Sequence, residues 1–304
     1  SINELLKSGN IEDRLKQVNA DDFIDRNKVD IPYQLFEKSY NSKNILVTGA
    51  GGSIGSELTK QLLNLKPKKL ILLDHNEFAL YSIEKFIREY DSNIDVIPCL
   101  GTIIDLSLIE KIMDDHKIEV VIHAAAYKHV PLVEYNPIDG FKNNVVGTNN
   151  LVATCIKKKI DRFILVSTDK AVHSENIMGA SKRISEIIVQ EAAKQNKVTN
   201  FAIVRFGNVI GSSGSVIPLF REQIFRGGPV TVTDENMTRY FMSISEASQL
   251  VLLAGSYGSE GEIFILDMGK PIRIIDLAKN MIQVYGFTEK NQSNPDGDIE
   301  IKIT

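Results

Sequence analysis

An apolar run of strand length, NILVT (Asn44–Thr48), leads straight into the glycine-rich turn GAGGSIG, and SELTKQLLNL behind it carries its apolar residues at helical spacing. A strand without polar alternation is buried on both faces, as strands of a parallel sheet are, and reaching a parallel neighbour takes a crossover, usually a helix. The same alternation recurs down the chain. KLILLD (Lys69–Asp74), IDVIPCL, EVVIHAAA, RFILVST and NFAIVRFG read as strands. EFALYSIEKFIREY, LSLIEKIMDDH, the long stretch DGFKNNVVGTNNLVATCIKK and RISEIIVQEAAKQ read as the helices between them. The pattern predicts an α/β fold, a doubly wound parallel sheet of Rossmann type over 44–206. Beyond Gly207, glycine-rich loops, short strands and two helices, SEASQLVLLAG and RIIDLAKNMIQVYG, read as a smaller lobe over 207–304, interleaved with the sheet domain. Residues 1–43 are polar, with a short amphipathic pattern (Ile11, Leu15, Val18) and Pro32 interrupting VDIPYQLF, and read as an arm or linker.

The turn TGAGGSIG has its glycines at Gly49, Gly52 and Gly55, a G-x-x-G-x-x-G spacing between a strand and a helix. Glycine there allows the tight turn, lets the backbone approach a pyrophosphate, and lets the helix pack on the strand, while the helix N-terminus presents N–H donors. The context predicts dinucleotide binding. Asp74 closes the second strand, nineteen residues after Gly55. A carboxylate at that position accepts from both adenosine ribose hydroxyls and repels a 2′-phosphate, so NAD is expected rather than NADP. Asp74 could also cap the helix that begins near Glu77.

A net charge of −4 gives no basic excess for neutralising phosphates along a nucleic acid, so no nucleic-acid partner is expected. Cys99 and Cys155 lie in apolar contexts without ligand spacing and are expected as reduced buried thiols, with no disulfide and no metal site. No apolar run reaches the length of a membrane span, so this chain is expected not to cross a membrane itself. It begins at Ser1 without a methionine, which suggests processing or a piece cut from something longer.

The segment VSTDKAVHSENIMGASK (Val166–Lys182) puts Thr168, Asp169 and Lys170 at the end of a strand, where sites of such folds lie, and Lys182 four residues after Met178 on the following helix. Asp169 beside Lys170 supplies one acid/base group of each kind, which an elimination needs; a plain Ser/Thr pair would suit an epimerase. A lysine acting as base needs a lowered pKa, and burial and the neighbouring Lys182 are the expected causes. Met178 can neither ionise nor donate, so it cannot move a proton, and it also fits simple packing on an apolar helix face. His123, alone on an apolar strand, is expected as a satisfied core residue.

The Met178…Lys182 spacing resembles the Tyr-x-x-x-Lys pair of short-chain dehydrogenase/reductases with methionine at the tyrosine position. Together with TGAGGSIGSEL, LLDHNEFALY, HAAAYKHVPLVEYNP, STDKAV, MGASKR, RFGNVIGSSGSVIPLF and GGPVTVTDENMTRYFMSISEA, it resembles the extended members that act on nucleotide sugars. The match narrows to the large polysaccharide-biosynthesis UDP-N-acetylglucosamine 4,6-dehydratases with that methionine. The resemblance runs from about residue 20 to the end. It implies a tightly bound, recycled NAD that takes hydride from sugar C4 and returns it to C6 after water leaves across C5 and C6, giving a UDP-4-keto-6-deoxy sugar for bacterial glycan synthesis. It implies cofactor contacts from Gly49, Gly52, Ser53, Ile54, Gly55, Asp74, Asp105, Ala124, Ala125, Ala126 and Lys182. Lys182 is then a hydrogen-bond donor to the nicotinamide ribose, although a lysine in a charged helix also fits a solvated role.

Carried onto this chain, the resemblance makes Lys170 the C5 base, Asp169 the acid at C6, and Thr168 the partner of the 4-hydroxyl or its oxyanion. Asp169, or a water held by Thr168 and Lys182, then takes the proton that tyrosine would have taken, and these two stay open. Substrate contacts are implied at Lys128, Asn144, Arg205, Asn208, Ser215, Val216, Thr231 and Arg239. Asn144 serves either to bind phosphate or to support the strand-end loops, and Lys128 also fits a solvated loop position. Gly211 and Gly214 let backbone N–H groups converge on a phosphate, and Arg239 suits bidentate phosphate recognition.

Relatives of this type continue past the last strand into a GLRPGEK-like motif, whereas this chain stops at Thr304, which bears on substrate affinity. A homo-oligomer is expected. So is a cytoplasmic location, free or as the soluble domain of a longer inner-membrane-anchored protein. A nucleotide-sugar 4-epimerase and a 5-inverting 4,6-dehydratase are the alternative activities, and a non-catalytic NAD-binding scaffold is the alternative from another class.

Overall fold

The unbroken apolar runs become buried strands, and the amphipathic stretches become the helices that cover them. The computed structural model describes residues 34–90, 94–212 and 214–304. The pattern at Ile11, Leu15 and Val18, and Pro32, lie outside them. The elements in order are α1 (Gln34–Tyr40), β1 (Asn44–Thr48), α2 (Ser53–Asn64), β2 (Lys69–Asp74), α3 (Glu77–Tyr90), β3 (Asp95–Leu100), α4 (Leu106–His116) and β4 (Val120–His123). Then follow α5 (Val130–Tyr135), α6 (Pro137–Phe141), a π-helical segment (Lys142–Val146), α7 (Gly147–Lys158), β5 (Arg162–Thr168), a 3-10 turn (Asp169–Ala171), α8 (Ile177–Gln195) and β6 (Asn200–Phe206).

Seven parallel strands form one sheet in the order β11-β6-β5-β4-β1-β2-β3, β11 being Glu260–Ile265. The order reverses direction at β1, so the crevice at the C-terminal ends of β1 and β4 is the switch point where such sheets bind ligands. The four residues of β4 and the five of β1 are all buried, as strands covered on both faces must be. On one face the core joins Leu46, Ile71, Val121, Phe163 and Phe201 of the sheet to Ile109, Ile112, Leu151 and Val189 of the helices. Full burial of side chains of this size is worth about 1.5–3 kcal/mol each.

Three sequence expectations change in detail. The strand expected over EVVIHAAA stops at His123, and Ala124–Ala126 continue without a ladder. The long helix expected over DGFKNNVVGTNNLVATCIKK is helical throughout, but its turn at Lys142–Val146 is widened to π geometry, a form frequent at functional sites. The end of the expected arm is a packed element: α1 buries Tyr40 completely, and its hydroxyl donates to Leu252 O at 2.7 Å.

The chain divides into two compact units. One takes in the described residues up to Phe206 and returns for Ser245–Asp267, most of α10 (Ile244–Tyr257) and β11. The helix SEASQLVLLAG, read with the smaller lobe, therefore leads into the edge strand of the large sheet.

The other unit comprises Gly207–Ile244 and Met268–Thr304 among the described residues. It holds β7 (Asn208–Ile210), α9 (Val216–Phe225), β8 (Val230–Val232), β9 (Thr238–Arg239), β10 (Phe241–Ser243), β12 (Ile272–Arg273), α11 (Ile274–Val284), β13 (Glu289–Lys290) and β14 (Ile299–Ile303). Its own core joins Phe220 and Ile224 of α9 to Leu277 and Met281 of α11, over Val230 and Ile299. Cys155 is buried and Cys99 half-buried, and burial raises both thiol pKa values. No helix among the described residues is long and apolar enough to cross a membrane.

Candidate active site

The turn after β1 is shaped by what a side chain there would hit. Gly49 has φ +67°, and a Cβ on it would lie 2.7 Å from the Ala125 backbone. A Cβ on Gly55 would lie 2.0 Å from Gly49 O, so only glycine lets α2 start this close to β1. Gly52 is looser, with 3.2 Å to the same oxygen. Gly51, which the motif spacing passes over, is as constrained as Gly55, because its Cβ would meet Ala79 of α3 at 2.5 Å. Gly52 starts α2 without a side-chain cap, so the helix opens on backbone N–H groups of the first turn, at Ser53, Ile54 and Gly55.

Asp74 is buried at the end of β2, where Oδ2 accepts from Gly51 N and Oδ1 from Asn76 N, both at 2.9 Å. It does not cap α3. That role falls to Asn76, whose Oδ1 accepts from Ala79 N. Asp74 instead ties the glycine turn to the strand end and keeps lone pairs for further donors. Asp105 is the side-chain N-cap of α4, accepting from Leu108 N and Ser107 Oγ. Its hydrogen bonds, from Ser107 first, lower its pKa. Glycines that a Cβ would fill, an uncapped helix start and a ribose-height carboxylate are a set that fits a dinucleotide.

Behind this cradle His123 is fully engaged. Thr148 gives its one hydroxyl proton to Asn144 O at 2.6 Å, so its oxygen accepts from His123 Nε2–H at 3.0 Å. Nδ1 therefore accepts from the Thr48 hydroxyl at 2.7 Å. Burial, and then the Lys182 charge, push the imidazole pKa down to about 3, so His123 stays neutral.

Asn144 lies on the π segment. Its Oδ1 accepts from Tyr127 N and Asn143 Nδ2, and its Nδ2 donates to Tyr127 O and Ser181 Oγ. All its amide positions are thereby used. Of the two roles expected for it the geometry has the brace: it fixes the loop carrying Tyr127 and Lys128 against α8. Lys128 itself is on the surface, and burial around its ammonium, then the Lys170 charge, lower its pKa.

At the end of β5, Thr168 Oγ1 donates to Asp169 Oδ1 at 3.0 Å, and Lys170 Nζ donates to the same oxygen at 3.2 Å. The burial expected around Lys170 is not found: its side chain is 39% exposed and that of Asp169 52%. The start of α8 comes close to this turn because residue 179 is glycine, whose Cβ would stand 2.3 Å from Lys170 O. Asn176 caps the helix by accepting from Gly179 N at 2.8 Å. Met178 and Lys182 thus follow on a helix pressed against the catalytic-type turn, and both are buried. Lys182 Nζ donates to Val166 O at 2.7 Å. Burial lowers its pKa to about 8, against the opposing charge of Glu186.

Arg205, expected among substrate contacts, turns instead into this unit. Its Nε donates to Glu186 Oε1 at 2.7 Å and its second guanidinium arm to Oε2, so its fork is committed to a carboxylate of the same domain. In the other unit, Ser215 and Val216 start α9 next to Gly211 and Gly214, both at positive φ. Thr231 on β8 is held at N and Oγ1 by the Gln223 amide, Arg239 is exposed on β9 with one arm on Thr238 O, and Asn208 starts β7. Sequence reading missed Gly51, Gly179, Thr48, Thr148 and Glu186. Only the glycines left a signal, as single residues inside motif stretches.

The family described as "Polysaccharide biosynthesis protein" matches residues 45–304. The capsular polysaccharide biosynthesis protein CapD of Staphylococcus aureus is 47% identical, over 95% of this chain and 50% of its own length. A Campylobacter jejuni protein described as UDP-N-acetylglucosamine 4,6-dehydratase (inverting) is 36% identical, over 79% of this chain and 71% of its own. The X-ray structure of Pen from Bacillus thuringiensis superposes with a TM-score of 0.78 at 33% identity, over 87% of this chain and 80% of that one. The chain spans about half the length of the first two curated relatives it matches.

Proposed function

We propose that this chain, which belongs to the polysaccharide biosynthesis protein family, carries the reaction centre of an NAD-dependent UDP-N-acetylglucosamine 4,6-dehydratase. The reading rests on one observation above the others: Asp169 and Lys170 share a hydrogen bond beside Thr168, with methionine in the first turn of the facing helix. The substrate class is supported by the Campylobacter jejuni relative. NAD held by the Gly49–Gly55 turn and Asp74 would take the C4 hydride and return it to C6.

Thr168 orients the sugar 4-hydroxyl. Its proton goes to Asp169, directly or through a water held by Thr168 and Lys182, because Met178 cannot take it. Lys170 removes the C5 proton that the 4-keto group has acidified. Asp169 passes the proton it gained to the leaving C6 hydroxyl, and water departs. Lys170 then returns a proton to C5 as hydride arrives at C6, so the proton count closes on the same two residues. Lys182 keeps one donor on Val166 O and offers the others to the nicotinamide ribose.

The test is incubation with UDP-N-acetylglucosamine without added NAD, followed by NMR and mass spectrometry. A product lighter by one water with a C6 methyl doublet is expected, and C5 configuration then separates retaining from inverting dehydration. An isomer of unchanged mass would assign a 4-epimerase instead. No conversion, with NAD added as well, would leave the scaffold reading.

A further inference from the structure

Glu186 lies one helical turn beyond Lys182 on α8, and its side chain is completely buried. Three donors converge on it: Ser167 Oγ at 2.6 Å, Arg183 Nη1 at 3.0 Å, and the Arg205 fork. Burial alone would raise its pKa, but the hydrogen bonds from Arg205, Ser167 and Arg183 outweigh that and keep it a carboxylate. Ser167 immediately precedes the Thr168–Asp169–Lys170 turn, and the Lys182 ammonium is anchored on Val166, one residue further back. One carboxylate therefore touches β5, α8 and β6 at the point where the reacting groups leave the sheet.

We propose that Glu186 is a positioning residue that keeps Lys182 charged and fixes the end of β5, a role that deepens, and for turnover rests on, the dehydratase reading. Lys182 interacts electrostatically with Glu186 on its own helix and with the neutral His123 of β4. Among the described residues, the elements packed on α8 also carry Arg205 on β6, paired with Glu186 as Arg183 is, Asp169 and Lys170 on the turn after β5, and Glu134 on α5, which accepts from Ile177 N. Of these, the Glu186 carboxylate, one helical turn away, is the anion that favours the Lys182 ammonium. Removing its charge also leaves Arg183 and Arg205 uncompensated, so both changes push Lys182 toward the amine. Neutralising Arg183 acts in the opposite sense.

The experiment is a direct titration of Lys182 by NMR in lysine-labelled full chain, its signal assigned by loss in Lys182→Arg. In the unmodified protein the midpoint is expected near 8. Glu186→Gln should lower it by about one unit or more, a tenfold loss of ammonium above that midpoint. Glu186→Asp should restore most of the shift, and Arg183→Gln should raise the midpoint. A Glu186→Gln midpoint within about 0.3 units of the unmodified one would overturn the proposal. If that variant does not fold, an unmoved midpoint in Arg183→Gln overturns it instead. The alkaline limb of turnover should move with each midpoint. Midpoints that move in a protein unable to dehydrate the UDP-sugar would sink the dehydratase reading and leave this one standing.

Discussion

The turn after β1 and the turn after β5 end neighbouring parts of one sheet, yet they are made in opposite ways. The first is backbone held in place by absent side chains: Gly49, Gly51 and Gly55 each stand where a Cβ would lie under 3 Å from another chain segment. The second is side chains, Thr168, Asp169 and Lys170, hydrogen-bonded to one another and half open to solvent. A site built from excluded atoms tolerates no substitution and does no chemistry of its own. One built from exposed polar atoms tolerates substitution structurally while losing its reaction.

That contrast can be broken most sharply at Asp169. Asp169→Asn should cut the proposed dehydration by about 10³-fold, measured as initial rate, and leave NAD affinity within about threefold. If NAD binding fell in parallel, the two turns would not be separable. Next in size is Gly55→Ala, which should weaken NAD binding by about 100-fold or more, or prevent folding, in a fluorescence titration. Gly52→Ala, whose Cβ would stand 3.2 Å from Gly49 O and need only a small shift, should cost less than about tenfold.

Lys182 sits between the two regimes. Its folded pKa of about 8 lies below the ordinary 10.5, so the folded state holds the ammonium at a cost. That cost, at most about 3 kcal/mol, is full below pH 8, shrinks as the folded form loses its proton first, and is gone above 10.5. Lys182→Met should therefore melt higher than the unmodified protein at pH 7, with the gain vanishing toward pH 10.5, and on the proposed mechanism it should also lose turnover. The smallest effect on turnover is expected at Thr148→Val, which strands the His123 Nε2–H. It should destabilise by about 1–3 kcal/mol in denaturant unfolding, with little change in the rate of the bound complex.

Legibility follows the same division. The glycine turn and the strand–helix alternation are local, so NILVTGAGGSIG announces them by composition and order alone. The reversal of strand order at β1 and the recruitment of β11 from residue 260 depend on packing between distant segments, and no local pattern marks them. Asp169 and Lys170 stand out as adjacent opposite charges after an apolar run. The partners that fix their surroundings come from elsewhere: Asn144 reaches both Tyr127 and Ser181, and Arg205 turns to Glu186. The family resemblance places Arg205 at the substrate, and an arginine near the end of a strand carries no mark of the carboxylate it will meet.

The closed pair of hydroxyls around His123 has an isotopic consequence. An imidazole saturated by Thr48 and Thr148 and neutral down to about pH 3 is a proton-tight wall behind the glycine-turn cradle. If the proposed dehydration holds, exchange with the medium enters through the outward-facing Asp169 and Lys170 and not through His123. In heavy water, deuterium should then accumulate at C5 of the product, while C6 keeps the protium moved from C4 of the same molecule.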